Sequence, residues 1–451
     1  MKLERELFEW EKALMDRGNL YLVGGAVRDL LFGRTGKGLD EDYLLQGMTL
    51  EEAVSVLDNY GRCDLVGKSF GVLKFTPAGE PAVDIALPRR EFSTGWGHKE
   101  FEVSFSPDLP VEEDLIRRDF TINSIALNLK RMELVDPLNG LEDINNRIMR
   151  VNREESFNED PLRIVRGVQF KYRFSLEVEE ETEKLMRDYG HLVATVPAER
   201  VREELNKMML MAENPGDGFM FMHRIDILKY IIPELDGTYG VEQNEFHPHD
   251  VFTHNIRSCN MAGPNLLVRW AALLHDIGKK ETKKEKEGRT VFYSHEMAGE
   301  RIAADILRRL KFSNGFTRDV LHLIRNHMFR IDRDCSDSAV RRFISRVGLE
   351  HLDNLFALRK ADALSRGDNE SVENIQYVRG RISGVLSEDA AFKVRDLDID
   401  GNEIMEITGL STGREVGEIL DYLLERVIDN PELNRNNKLR KMVMEKSGEK
   451  R

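Results

Sequence analysis

Two acidic side chains stand one residue apart at Asp40 and Asp42, in a run LDEDYLL that can form a strand. Period-two alternation would set both carboxylates on one face and Glu41 on the other. Upstream, the apolar run Leu20 to Val23 meets Gly24-Gly25, and the AVRDLLF that follows has helical spacing with Arg28 in its first turn. A strand that feeds a helix through glycines leaves backbone N–H groups where a phosphate can approach closely, and Arg28 adds positive charge. Carboxylates beside a phosphate cradle suit Mg²⁺, which takes hard oxygen ligands from one or two carboxylates and from substrate phosphates. Asp84, in the strand-like run PAVDIAL, is a candidate third acid. The same residues also compose an ordinary turn and ordinary polar strand positions, and this stretch alone leaves both readings open.

Further chemistry-bearing groups follow in order. RRDFTINSIA sets Arg117 and Arg118 beside Asp119 and Asn123 at the expected start of a helix. Guanidinium forks suit triphosphate oxygens, and the Asn amide offers a donor and an acceptor to a ribose hydroxyl; a surface ion-pair cluster is the alternative. In EDPLR, Asp160 and Arg163 are three apart and are expected on one helix face, where together they could read the edge of a base or simply form a salt bridge. From residue 244 histidines gather: NEFHPHDVFTHN, then WAALLHDIGKK, YSHEMAGE, RNHMF and KADALSRG. Neutral imidazole and carboxylate are ligands for divalent transition metals, although isolated histidines usually hold none.

GGAVRD, the Asp-x-Asp pair, RRDFTINSIA and FNEDPLRIVRGVQF, in that order, resemble the class II tRNA nucleotidyltransferases and bacterial poly(A) polymerases. The resemblance implies that Asp40 and Asp42 hold Mg²⁺ and carry catalysis. It implies that Gly24, Gly25, Arg28, Arg117, Arg118, Asp119, Asn123 and Arg166 bind the nucleotide, with Asp160 and Arg163, supported by Glu159, selecting the base. Its expected substrates are tRNA, CTP and ATP, the product a completed 3′ CCA end, with A-only addition or poly(A) addition as alternatives. Arg90 to Phe105 reads as a mobile loop. In the family such a loop helps switch from adding C to adding A, which disfavours C-only activity. The chain departs from the pattern in its longer spacing before Asp40 and in Gly167 and Gln169, which stand where small and basic residues are usual. His254, His275, Asp276 and Asp362 follow the order of the HD-type phosphohydrolases, which implies a divalent transition metal there, with His295 and His327 as ligands for a second ion. A tRNA-binding or repair protein with only this site active is the reading from another class.

The elements that must position these residues follow from length and pattern. At 451 residues several domains are expected, and 41% hydrophobic with 32% charged residues describes a soluble globular chain. Residues 1–150 alternate short apolar runs with helical patterns, giving an α/β head of nucleotidyltransferase type with a mixed sheet. The remainder is expected to be all-α: neck and body at 151–240, an HD domain at 241–375 and a tRNA-binding tail at 376–451. Helix PAERVREELNKML reads as scaffold. Three scattered cysteines argue against a disulfide framework, and no apolar run approaches a membrane span, so no membrane association and a cytoplasmic location are expected. The net charge of −14 is the wrong sign for indiscriminate nucleic-acid binding, which confines RNA contact to local patches. One candidate is the basic stretch from Pro431, with a solvated, frayed terminus as its alternative.

Overall fold

The computed structural model describes residues 5–34, 41–66, 71–93, 101–244, 248–329, 331, 335–386 and 391–448. The chain divides into two units, residues 1–213 with 221–231, and residues 214–220 with 232–451.

The first unit is built on a mixed sheet. Its strands are β1 (Asn19–Val23), β2 (Asp42–Gln46), β3 (Gly61–Val66), β4 (Val72–Pro77) and β5 (Val83–Ala86). A separate hairpin, β6 (Arg89–Ser93) and β7 (Phe101–Phe105), precedes β8 (Ala126–Asn128) and β9 (Glu133–Val135). The order across the sheet is β3-β4-β5-β2-β1-β8-β9, with β2 and β5 parallel and the other neighbours antiparallel. Alternation sorts the side chains. Tyr21, Val23 and Leu44 pack with Val111 and Leu115 of helix Val111–Ile116. On the opposite face Trp10 of helix Glu9–Met15 packs edge-on against Tyr43 and Phe75, with ring centroids 5.3 and 5.2 Å away. Asp42 therefore shares a face with Leu44, and Glu41 shares one with Tyr43.

The capping pattern at Thr49 forms helix Leu50–Leu57, with the Glu52 amide donating to Thr49 and the Glu52 carboxylate accepting from the Thr49 amide. Two expectations change. RRDFTINSIA begins no helix: a single 3-10 turn, Thr121–Asn123, leads into β8. Asp119 accepts from the Phe120 amide and Ser124 donates back to the Phe120 carbonyl, so local side-chain bonds replace the helical ladder. The stretch read as a loop from Arg90 to Phe105 pairs as β6 and β7, from Arg89 opposite Phe105 to Ser93 opposite Phe101. Alternation in FEVSF supports that ladder, and residues 94–100 lie outside the described ones.

Beyond the sheet, the first unit continues through helices Leu162–Phe174, Glu180–Asp188 and Ala198–Met211, with a short parallel ladder between Ile148–Met149 and Glu177–Val178. The second unit is helical apart from a hairpin, Lys284–Lys286 with Arg289–Val291. Leu439 and Val443 of the last helix, Asn436–Gly448, are fully buried in a cluster with Ile404 and Leu423, so over those residues the tail is packed rather than frayed. No helix among the described residues is long and apolar enough to cross a membrane.

Candidate functional site

Register assembles the acidic site. Asp42 pairs with Val23 on one side and with Asp84 on the other, so two carboxylates emerge from adjacent strands beside the Gly24 turn, about 5 Å apart at the backbone. Both are exposed. Hard oxygen donors in this position fit a Mg²⁺ site. Asp40, and the longer spacing before it, lie outside the described residues. Glu41 does turn away from Asp42: it accepts from Arg5 Nη2 at 2.9 Å and from the Tyr43 hydroxyl at 2.6 Å on the far face of the sheet.

Gly24 adopts φ +65°, and a Cβ there would lie 2.7 Å from Arg118 Nη1. Only glycine takes this backbone without strain while leaving the guanidinium its place. Arg118 is steered by Asp114, a buried carboxylate on helix Val111–Ile116 whose Oδ2 accepts from its Nη2 at 3.0 Å and whose Oδ1 accepts from Arg117 Nη2 at 2.5 Å. Burial opposes the Asp114 charge, but the two guanidinium groups hold it below the usual carboxylate range.

Gly24, Asp42, Arg118 and Asp119 line a cavity of about 640 Å³ that also takes in Asp160, Arg163 and Arg166. Arg117 does not reach it; its carbonyl instead accepts from Arg163 Nη2 at 3.1 Å. Arg28 lines the cavity, but its guanidinium is buried in the protein's own network. Nη1 donates to Asn123 Oδ1 at 2.7 Å and Nη2 to Asp29 at 2.6 Å, over the rings of Phe170 and Phe174. Asn123 in turn donates to Asp119 at 2.8 Å, and Asp119 accepts from Arg166 Nε at 2.9 Å. The amide expected at the ribose is thus engaged on both its oxygen and its nitrogen.

Asp160 and Arg163 meet in the cavity but do not share a helix face. Asp160 is extended, with φ −141° and ψ 93°, because Pro161 follows it, and Arg163 lies inside helix Leu162–Phe174. Their side chains are not paired with each other, although the Arg163 amide donates to the Asp160 carbonyl at 2.9 Å: the Asp160 carboxylate accepts from Arg200 Nη2 at 3.1 Å, while the Arg163 guanidinium lies 3.5 Å from Glu159. Helix Ala198–Met211, read as scaffold, contributes Glu204, Lys207 and Met211 to the lining. Their spacing of three and four residues was the available signal. Asp114 likewise stands three and four residues before the arginines it aims. Gly167 is a packing residue, since a Cβ there would lie 2.9 Å from Phe120.

The histidines converge in the second unit. Asp276 divides its oxygens: Oδ2 lies 3.3 and 3.4 Å from Nε2 of His254 and His275, and Oδ1 lies 3.2 and 3.6 Å from Nε2 of His295 and His327. Asp362 Oδ1 completes the first group, 3.2 Å from His254 Nε2. Nδ1 of His275, His295 and His327 lies 2.9, 2.8 and 2.6 Å from a backbone carbonyl, an arrangement that protonates Nδ1 and leaves Nε2 as the ligand atom. These separations are edges of a coordination shell with bonds of about 2.1 Å, so the donors fit one ion at His254, His275 and Asp276, with Asp362 Oδ1 3.2 and 3.9 Å from the two imidazoles, and a second at Asp276, His295 and His327. Burial disfavours charge on both aspartates, yet the imidazoles, with Lys279 beside Asp276 and Arg366 beside Asp362, hold them well below the usual range. A cleft of about 330 Å³ opens on this centre, lined by Lys279, Arg359, Arg366, Phe292 and Tyr293.

Residues 20–150 match the poly A polymerase head domain, residues 175–238 the probable RNA and SrmB-binding site of polymerase A, and residues 245–367 the HD domain. A multifunctional CCA protein of Stenotrophomonas maltophilia is 37% identical over 89% of this chain and 97% of its own length. An A-adding tRNA nucleotidyltransferase of Deinococcus radiodurans is 34% identical over 72% of this chain and 77% of its own. The fold is similar to that of a Bacillus stearothermophilus CCA-adding enzyme in complex with CTP, with a TM-score of 0.71 at 22% identity, covering 98% of this chain and 96% of the other.

Proposed function

Because the chain belongs to the class II tRNA nucleotidyltransferase and bacterial poly(A) polymerase family with an HD domain, and is a nucleotidyltransferase, we propose that it adds CCA to tRNA 3′ ends from CTP and ATP. One observation carries this reading: Asp42, which the ladder sets beside Asp84, lines the same cavity as the Gly24 turn, Asp160 and Arg163.

The RNA 3′-oxygen attacks the α-phosphorus, the bond to the β-phosphate breaks, and pyrophosphate leaves. Little covalent chemistry falls to the protein, so positioning and charge dominate. Magnesium, when bound, supplies charge to the triphosphate and acidity to the attacking hydroxyl. Asp42, with Asp84 beside it and Asp40 by family pattern, is the ligand set. Arg118, aimed by Asp114, meets the triphosphate beside the glycine turn. Asp160 accepts from an exocyclic amine and Arg163 donates to ring acceptors of the base. The Arg28–Asn123–Asp119–Arg166 network shapes the wall between them.

The multifunctional relative supports full CCA addition, since the likeness runs through nearly its whole length; the A-adding relative keeps A-only addition as the second reading. Purified protein incubated with labelled CTP or ATP and tRNAs ending before CCA or after CC separates them. CTP incorporation is expected, and ATP incorporation alone selects the A-only reading. Asp42→Ala is expected to abolish incorporation; extension at the parental rate overturns the catalytic assignment.

The HD unit is proposed as a phosphohydrolase whose histidine–aspartate centre binds divalent transition metal, with Lys279, Arg359 and Arg366 drawing a phosphate to it. Such a metal supplies activation of water. A chain that releases phosphate from a phosphorylated RNA end but adds no nucleotide would be the repair protein with only this site active.

A further inference from the structure

Gln169 departs from the family pattern, and among the described residues lining the nucleotide cavity it is a side chain with both polar ends unexplained. It lies on helix Leu162–Phe174, lines the cavity, and is 1% exposed. Among the described residues neither its Oε1 nor its Nε2 has a hydrogen-bond partner. Nearly all buried polar groups are paired, so an amide with both ends unsatisfied in a binding cavity points to a ligand.

The chemistry of that ligand follows from what the amide offers. A phosphate oxygen satisfies donors only, and Gln169 also holds an open acceptor. A hydroxyl both donates and accepts. The amide that the sequence assigns to a ribose hydroxyl, Asn123, is engaged within the protein on both its atoms, and its neighbour Asp119 is held by Asn123 and Arg166. Position agrees. Gln169 is six residues beyond Arg163, about 9 Å along the helix, and one turn before Arg173, which binds Asp29 at 3.0 Å at the glycine-fed helix. A nucleotide whose base meets Asp160 and Arg163 and whose phosphates meet the Gly24 turn passes its sugar between those ends.

We propose that Gln169 holds a ribose hydroxyl of the incoming nucleotide and selects ribonucleotides over deoxyribonucleotides. This rests on the nucleotidyltransferase reading of the cavity. The test measures dissociation constants of ATP and 2′-dATP, and of CTP and 2′-dCTP, for the full chain and for Gln169→Met and Gln169→Leu, together with thermal midpoints without nucleotide. The parent is expected to favour the ribonucleotide on the order of tenfold, and both variants to lose that preference by weakening the ribonucleotide alone. Their midpoints without nucleotide should hold or rise, because each removes an unsatisfied buried amide. Equal losses for both sugars, an unchanged preference, or a lowered midpoint with unchanged affinities would overturn the proposal; the last two are the results for an amide serving water or packing alone. Failure of the parent to incorporate any nucleotide would remove the reaction reading, while the binding ratios would still decide the role of Gln169.

Discussion

Asp119 shows how much of this site is spent on holding itself together. Its carboxylate is buried and accepts from the Phe120 amide, Asn123 and Arg166. Burial alone would raise its pKa, but Arg166, Asn123 and Arg163 hold it below the usual carboxylate range. A depressed folded-state pKa stabilises the fold above the unfolded value and loses that contribution as pH falls through the folded one. Asp119→Asn should therefore cost about 2 kcal/mol at neutral pH, discounted because Arg166 is partly exposed. The gap to the parent should begin to narrow below about pH 4, the value of the unfolded carboxylate, and close only once pH has fallen through the depressed value of the folded one. Urea melts of both proteins across that range check the sign. A gap that persists in acid would place the loss in the amide's misfit with Asn123 rather than in the ion pair.

At the scale of the element, the strand–glycine–helix junction is where sequence and structure agree most closely. Gly24, Gly25 and the turning of Glu41 away from Asp42 could be read because a glycine pair between two periodicities has few alternatives, and a strand's alternation fixes its faces. What could not be read depends on partners distant in sequence. Arg28 lies in the right turn, yet Asn123, 95 residues away, claims it. Asp160 and Arg163 have helical spacing, but Pro161 takes the first of them out of the helix. Glu204, Lys207 and Gln169 become cavity residues only when two helices pack face to face. The junction itself makes a sharp prediction. Gly24→Ala puts a Cβ at φ +65° and 2.7 Å from Arg118 Nη1. The backbone should lose about 1 to 2 kcal/mol in a thermal melt. Arg118 can swing aside, so the protein should still fold while the KM for nucleoside triphosphate rises and Mg²⁺-independent tRNA binding is unchanged. An unchanged KM would separate Arg118 from the triphosphate.

At the scale of the whole molecule, two metal chemistries are kept in two units. The first offers carboxylates and suits a hard ion; the second offers four imidazoles around a shared aspartate and suits a transition metal. The centres should therefore be separable by reagent and by mutation. His275→Ala should abolish metal-dependent phosphate release and leave nucleotide addition in Mg²⁺ intact, and Asp42→Ala should do the reverse. A chelator selective for transition metals should reproduce the His275→Ala result in the parent. Acidity should distinguish the centres too. Burial works against protonating His254 and His295, but Asp276 faces both and Asp362 faces His254, and the carboxylates raise both imidazoles above their usual range. In the metal-free protein those protons must leave before Nε2 can bind an ion. Loading should be weak below about pH 6.5, strengthen as pH rises through the raised values, and release protons to the buffer as it does so. Calorimetry with Mn²⁺ or Zn²⁺ in buffers of different ionisation enthalpy measures both the affinity and the proton count. A pH-independent affinity with no proton release would mean that the imidazoles are already free, and that the aspartates do not hold their charge against them.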